Sequence, residues 1–228
     1  MKLGKMLLYI FFFLSVLCIY ANFVKNDNLF MICITAICPV ILFFYFDKAE
    51  QVNVWFFISI LFFYFVDIVT IINLLNEMFY IIPLSLISYF ILLGFAISDN
   101  HKIEFKPKIV STSIFVFVCI ITTLSLILSS ISENEVSLLF MMFFLGLLIT
   151  ILTAFVVYNY LNSISKSNFY LLISCICFIF SGGFYVIYKM VYYNLFIDCF
   201  ATIMKLASYL FLIQYILSRE IELKTTNN

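Results

Sequence analysis

VWFFISILFFYFVDIVTIINLL, residues 54–75, contains a single charged side chain, Asp67, in 22 positions. Aromatic and branched apolar residues follow one another without the strict in–out alternation of a half-buried strand. A helix needs about 20 mostly apolar residues to cross the hydrocarbon core of a bilayer. This stretch is therefore read as a membrane-spanning helix. Seven more segments of the same kind flank it, at roughly 6–24, 28–46, 78–98, 109–132, 136–161, 168–188 and 191–217. The expected fold is an all-α, polytopic bundle of about eight transmembrane helices in a single domain.

The composition agrees. Hydrophobic residues make up 66% of the 228, and charged residues only 11%, with 12 basic and 12 acidic side chains. A soluble domain is roughly half apolar and about a quarter charged, so there is too little polar surface here to cover a water-soluble globule. Disorder needs low hydrophobicity, and nucleic-acid binding needs a basic stripe that this chain lacks. The 30 Phe and the excess of Lys over Arg together match an AT-rich coding sequence and are not read as function. The seven Cys lie inside apolar stretches, where Cys acts as a small hydrophobe. Cys175 and Cys177 are two apart and point to different helix faces. His101 is the only histidine, so His-based metal sites and a Ser-His triad are not expected. Neither a metal nor a cofactor is expected.

The connections are short. The longest, DNHKIEFKPK at 99–108, carries a charge cluster and places Pro107 just ahead of helix 5. Lys2 and Lys5 precede the first apolar run as in a signal peptide, but Ile19-Tyr20-Ala21 is a poor cleavage site. That run is kept as helix 1. Nine basic residues (Lys2, Lys5, Lys48, Lys102, Lys106, Lys108, Lys166, Arg219 and Lys224) fall at one end of the bundle, and two (Lys25 and Lys189) at the other. The positive-inside rule then puts both termini in the cytoplasm, in a multi-pass protein of the cell membrane. Trp55, Tyr192 and Tyr193 fall at predicted helix ends, where amphipathic rings favour the interface.

Charge inside the membrane costs a few kcal/mol or more and asks for a reason. Three residues raise the question: Asp67 in helix 3, and Asp198 and Lys205 in helix 8. Asp67 lies about 4 Å past mid-depth, with Tyr64 and Thr70 one turn to either side. Thr202, Lys205 and Tyr209 follow Asp198 at helical spacing. Helix 7 carries a similar stripe of Ser174, Cys177, Ser181, Tyr185, Tyr188 and Tyr192, with Gly182 and Gly183 allowing close approach. One reading is a polar chamber among helices 3, 7 and 8, open to the non-cytoplasmic side. The other is a structural ion pair of Lys205 with Asp67 or Asp198, with the stripes serving as interhelical hydrogen bonds. The Ser and Thr residues of helices 5 and 6 (Thr122, Thr123, Ser125, Thr150, Thr153) are read as packing residues.

Four places resemble the lysoplasmalogenase-like (YhhN-like) membrane family. Cys38-Pro39 falls where that family tends to have Lys-Pro. FFISILFFYFVDIVTIINLL (56–75) is similar to its apolar run with a Gly-Asp pair, Asp67 matching the Asp. FIFSGGFYVIYK (178–189) is similar to a stretch with a Ser-Asp pair, Ser181 matching the Ser and Gly182 standing in place of the Asp. SYLFLIQYIL (208–217) resembles the terminal Tyr…Gln pattern through Tyr209 and Gln214. The family's helix 4 histidine has no counterpart, since His101 lies beyond that helix.

The resemblance implies an eight-helix fold and hydrolysis of the vinyl-ether bond of lysoplasmalogen-type lipids. Such a bond is cleaved by protonating carbon and adding water to the resulting oxocarbenium ion, which calls for a carboxyl acid and a second group to hold the water. On that reading Asp67 is the general acid and Asp198 the second catalytic group. Tyr64, Ser181, Tyr185, Lys205 and Tyr209 would contact the substrate, and membrane lipids are the partners. Two alternatives stand beside it: a catalytically degenerate lipid-binding or structural membrane protein, and a small transporter using Asp67, Asp198 and Lys205.

Overall fold

The structure, a computed structural model, describes residues 2–72, 77–99, 106–130 and 136–227. Eight helices long and apolar enough to cross a membrane make up nearly all of it. They are α1 (Lys2–Phe23), α2 (Asp27–Lys48), α3 (Val54–Ile72), α4 (Met78–Ser98), α5 (Pro107–Ser129), α6 (Val136–Asn162), α7 (Lys166–Val186) and α8 (Leu195–Asn227). The chain is thus an all-α, multi-pass membrane bundle. His101, the predicted end of helix 3 at 73–75 and that of helix 5 at 131–132 lie outside the described residues.

Local chemistry sets the helix starts. Asn26, Asn53 and Ser165 each accept a hydrogen bond from the backbone N–H three residues on, opening α2, α3 and α7. Pro107 is the first residue of α5, not a residue ahead of it, because that position needs no N–H. Helix 8 begins at Leu195 and not at 191, since Asn194 accepts from the Phe196 N–H at 2.9 Å. Residues 187–191 instead close α7 with a π-helical turn, in which the Tyr192 N–H reaches the Ile187 carbonyl at 2.8 Å. Helix 8 also continues past 217 to Asn227, and helix 1 begins at Lys2 rather than 6. Their outer turns are polar, so an apolar count does not find them.

Helices α1–α4 and α6–α8 close into a ring by pairwise packing, with α8 returning against α1 and α2. α5 stands outside the ring and packs chiefly on α6, where Leu124 lies over Gly146. Of α5, only Ser113 is buried. Interhelical hydrogen bonds fix the ring: Ser88 Oγ donates to the Ser59 carbonyl at 3.0 Å, Ser174 Oγ to the Ser208 carbonyl at 3.0 Å, and Asn159 Nδ2 to the Ala96 carbonyl at 2.6 Å.

One end of the bundle is tied by charge. Arg219 Nε donates to Asp99 Oδ1 at 2.6 Å, Tyr215 donates to Asp99 Oδ2 at 2.7 Å, and Arg219 also reaches Ser98. Ser167 donates to Glu222, and Lys224 pairs with Glu50 and Glu220. These contacts bring Arg219, Lys224 and the N-terminus of α7 together, and Gly4 lies against Asp47 and Lys48 at the same end. Lys25 and Lys189 sit at the opposite end. Arg219→Leu strips Asp99 of its cation and is expected to cost about 1.5–3 kcal/mol. Thermal unfolding of the purified protein in detergent reads this loss.

Candidate functional site: an intramembrane cavity

Asp67 is 2% exposed and Tyr209 3%. Tyr209 donates its hydroxyl to Asp67 Oδ2 at 3.0 Å, and Lys205 forms an ion pair with Asp67 Oδ1. The partner of Lys205 is therefore Asp67 and not Asp198. Three and four residues along α8 separate Lys205 from Thr202 and Tyr209, so both long side chains leave the same helix face and reach α3 together.

This pair borders open space. Asp67, Lys205 and Tyr209 line a cavity of about 1190 Å³, which exceeds the roughly 300–1,000 Å³ of common small-molecule pockets. All eight helices contribute to its wall, not helices 3, 7 and 8 alone. Beneath the pair lies an aromatic floor. The Phe63 and Phe178 rings stack at 4.9 Å, and Tyr89 meets each of them edge-on at 5.3 Å.

Above the pair, at the end that holds Lys25 and Lys189, the wall is polar. Glu77, just ahead of α4, is buried. It accepts from the Tyr185 hydroxyl at 3.0 Å and pairs with Lys189 at 3.0 Å. The π-helical turn carries Tyr188 and Lys189 to this mouth; such turns recur at functional sites. Tyr188 packs on Tyr193 at 4.8 Å, and Lys25 lies 5.4 Å from the Tyr193 ring. Asp198 lines the mouth half-buried, and among the described residues no cation stands within ion-pair distance of it. Asn22 donates to Thr202, which in turn donates to the Asp198 carbonyl at 3.0 Å.

The predicted residues divide. Asp67, Asp198, Ser181, Tyr185, Lys205 and Tyr209 all reach the cavity wall, and Ser181 does so from a buried position. Tyr64 does not: it packs against the core beside Phe65. A three-residue step falls about 60° short of a full turn. Tyr64 and Thr70 therefore lie on opposite sides of Asp67, and only Thr70 reaches the wall. Ser174 belongs to the α7–α8 packing through Ser208. Thr123, Thr150 and Thr153 are wall residues as well as helix residues, while Thr122 and Ser125 face outward on α5.

Sequence reasoning missed Glu77, Asn22 and the aromatic floor. Glu77 sits between two apolar runs, where a charge reads as loop surface. Its one signal was its place opposite Lys189 at the same end of the bundle.

The chemistry of the arrangement is amphipathic. With Lys205 on one carboxylate oxygen and Tyr209 on the other, Asp67 serves in this arrangement as an acceptor and an anchor for Lys205. Lys205 keeps 24% of its side chain exposed and is available to an anionic or polar group in the cavity. No protein-family model matches this chain, and no curated protein or solved structure matches it significantly.

Proposed function

We propose that this integral membrane protein binds single-chain amphiphiles within the bilayer. One observation carries the reading. A single cavity runs from a charged mouth (Lys25, Lys189, Asp198), past the Lys205–Asp67 pair, to walls of apolar and aromatic side chains. A lipid headgroup suits the first part and an alkyl chain the last. The positive-inside rule gives the orientation: the end holding Arg219 and Lys224 faces the cytoplasm, and the mouth faces the other side.

The test is retention of lipid. Protein purified in mild detergent should carry single-chain lipid detectable by native mass spectrometry. Delipidated protein should take up a lysophospholipid, and Lys205→Met should weaken that uptake about tenfold or more, as the loss of a charge-assisted contact does. Wild-type protein that binds no lysophospholipid in excess of an unrelated eight-helix protein would overturn the reading.

A second reading, vinyl-ether hydrolysis of lysoplasmalogen-type lipids, draws on the position of Asp67 in the cavity wall, where the resemblance puts the acid. The Lys205 pair weighs against Asp67 in that role, and so does Gly182 in place of a second carboxylate. Aldehyde release from lysoplasmalogen by purified protein, abolished in Asp67→Asn, would establish this reading. Background release by both proteins would remove it and leave the binding function standing.

A further inference from the structure

We propose that the amphiphile reaches the cavity sideways from the bilayer, through the cleft between α5 and α7, and that its alkyl chain lies in that cleft. The proposal rests on the binding function above and adds the route and the seat of the chain.

α5 is the helix outside the ring, and the cavity wall includes its Ile120, Thr123 and Ile127. Across from them α7 presents Ile176 and Phe180 to the same cavity. Ile176 is 41% exposed and Phe180 46%. α5 packs on α6 and hardly touches α7, so the half-exposed wall residues between them border an opening in the cavity wall. The opening lies at membrane depth. Ile176 and Phe180 are ten and fourteen residues into α7, about 15 and 21 Å along its axis. What stands outside such an opening is lipid chain, not water.

The lining suits a chain and nothing more polar. The Thr123 hydroxyl donates to the Cys119 carbonyl of its own helix at 2.9 Å, so its proton is already engaged. Gly183 closes the upper end: a Cβ there would meet Ile127 at 3.8 Å, ordinary contact distance. Gly182 beside it has nothing within 4 Å of its Cβ position. The cleft thus narrows at Gly183 and widens into the chamber past Gly182. The polar groups wait deeper, at Lys205 and the mouth. A single-chain lipid with a polar head matches both parts at once.

The experiment uses a lysophospholipid with a fluorescent chain, delivered from vesicles to the full-length protein in nanodiscs. Gly183→Leu combined with Ile176→Trp narrows the cleft. Uptake should then slow by about tenfold and occupancy should fall, because the added side chains obstruct the route and fill the seat of the chain. Unchanged rates at normal occupancy would overturn the route while leaving the binding function intact. Absence of any occupancy in wild type would overturn both.

A second measurement needs no variant. Cys119 is exposed, and the six other free cysteines are buried. It lies on the cavity wall at α5. A lipid-soluble maleimide should label it, and saturating lysophospholipid should slow labelling about tenfold. Labelling that ignores the lipid would overturn the proposal. So would crosslinking of Cys119 between two copies in the membrane, which would make this face a subunit contact.

Discussion

Lys205→Met is expected to destabilise the protein by about 3–5 kcal/mol, the cost of leaving one partner of a buried ion pair behind. Asp67 has Lys205 on one oxygen and Tyr209 on the other, and almost no solvent. Without the lysine, a carboxylate at membrane depth keeps a single neutral donor. The double variant Asp67→Asn, Lys205→Met removes both charges and should recover most of the loss, since paired removal of a buried ion pair is often near neutral. Thermal unfolding of the wild type, both single variants and the double variant separates the cases. If the double variant is as unstable as Lys205→Met alone, the pair does not hold α3 to α8. The same set reads the binding role independently. A double variant that regains stability but not lysophospholipid uptake assigns Lys205 to the ligand as well as to the fold.

How far this site was legible follows from what periodicity can carry. Eight apolar runs gave eight helices, because one long apolar segment in lipid has few alternatives to a helix. Spacing on α8 brought Thr202, Lys205 and Tyr209 to one face, and that face does line the cavity. Choosing between Asp67 and Asp198 for Lys205 needed the placement of α3 relative to α8, which no single-helix pattern contains. Tyr64 shows the opposite failure. Its spacing from Asp67 matched a shared face, yet the 60° offset of a three-residue step turned it into the core. Glu77 was hidden by its place between helices, and its buried pairing with Lys189 and Tyr185 arises only from the tertiary fold. Phe63, Tyr89 and Phe178 were lost among 30 Phe and 15 Tyr, where an abundant residue type gives no contrast. The outward position of α5 was equally invisible, since its sequence is as apolar as its neighbours'.

Gly182→Leu should abolish lysophospholipid retention without loss of stability. Substitution of a buried glycine often overpacks its surroundings, but Gly182 is exposed and a Cβ there would find nothing within 4 Å. The new side chain projects into the cavity, between the cleft and the Lys205–Asp67 pair. Gly within a helix costs about 1 kcal/mol relative to good helix formers, so leucine is expected to hold or raise the unfolding temperature. Binding falls because the added side chain occupies the passage that a chain and headgroup must share, and a drop of about tenfold or more follows from about 1.4 kcal/mol of steric penalty. A residue whose replacement stabilises the fold and removes the activity is the signature of a site that keeps open space for a ligand. Gly146→Leu is the control in the other direction. Its Cβ would overlap the Leu124 side chain, so it should loosen α5 from α6 and lower stability. If Gly182→Leu instead unfolds the protein or binds lipid as wild type does, the space beside Gly182 is not where the amphiphile lies.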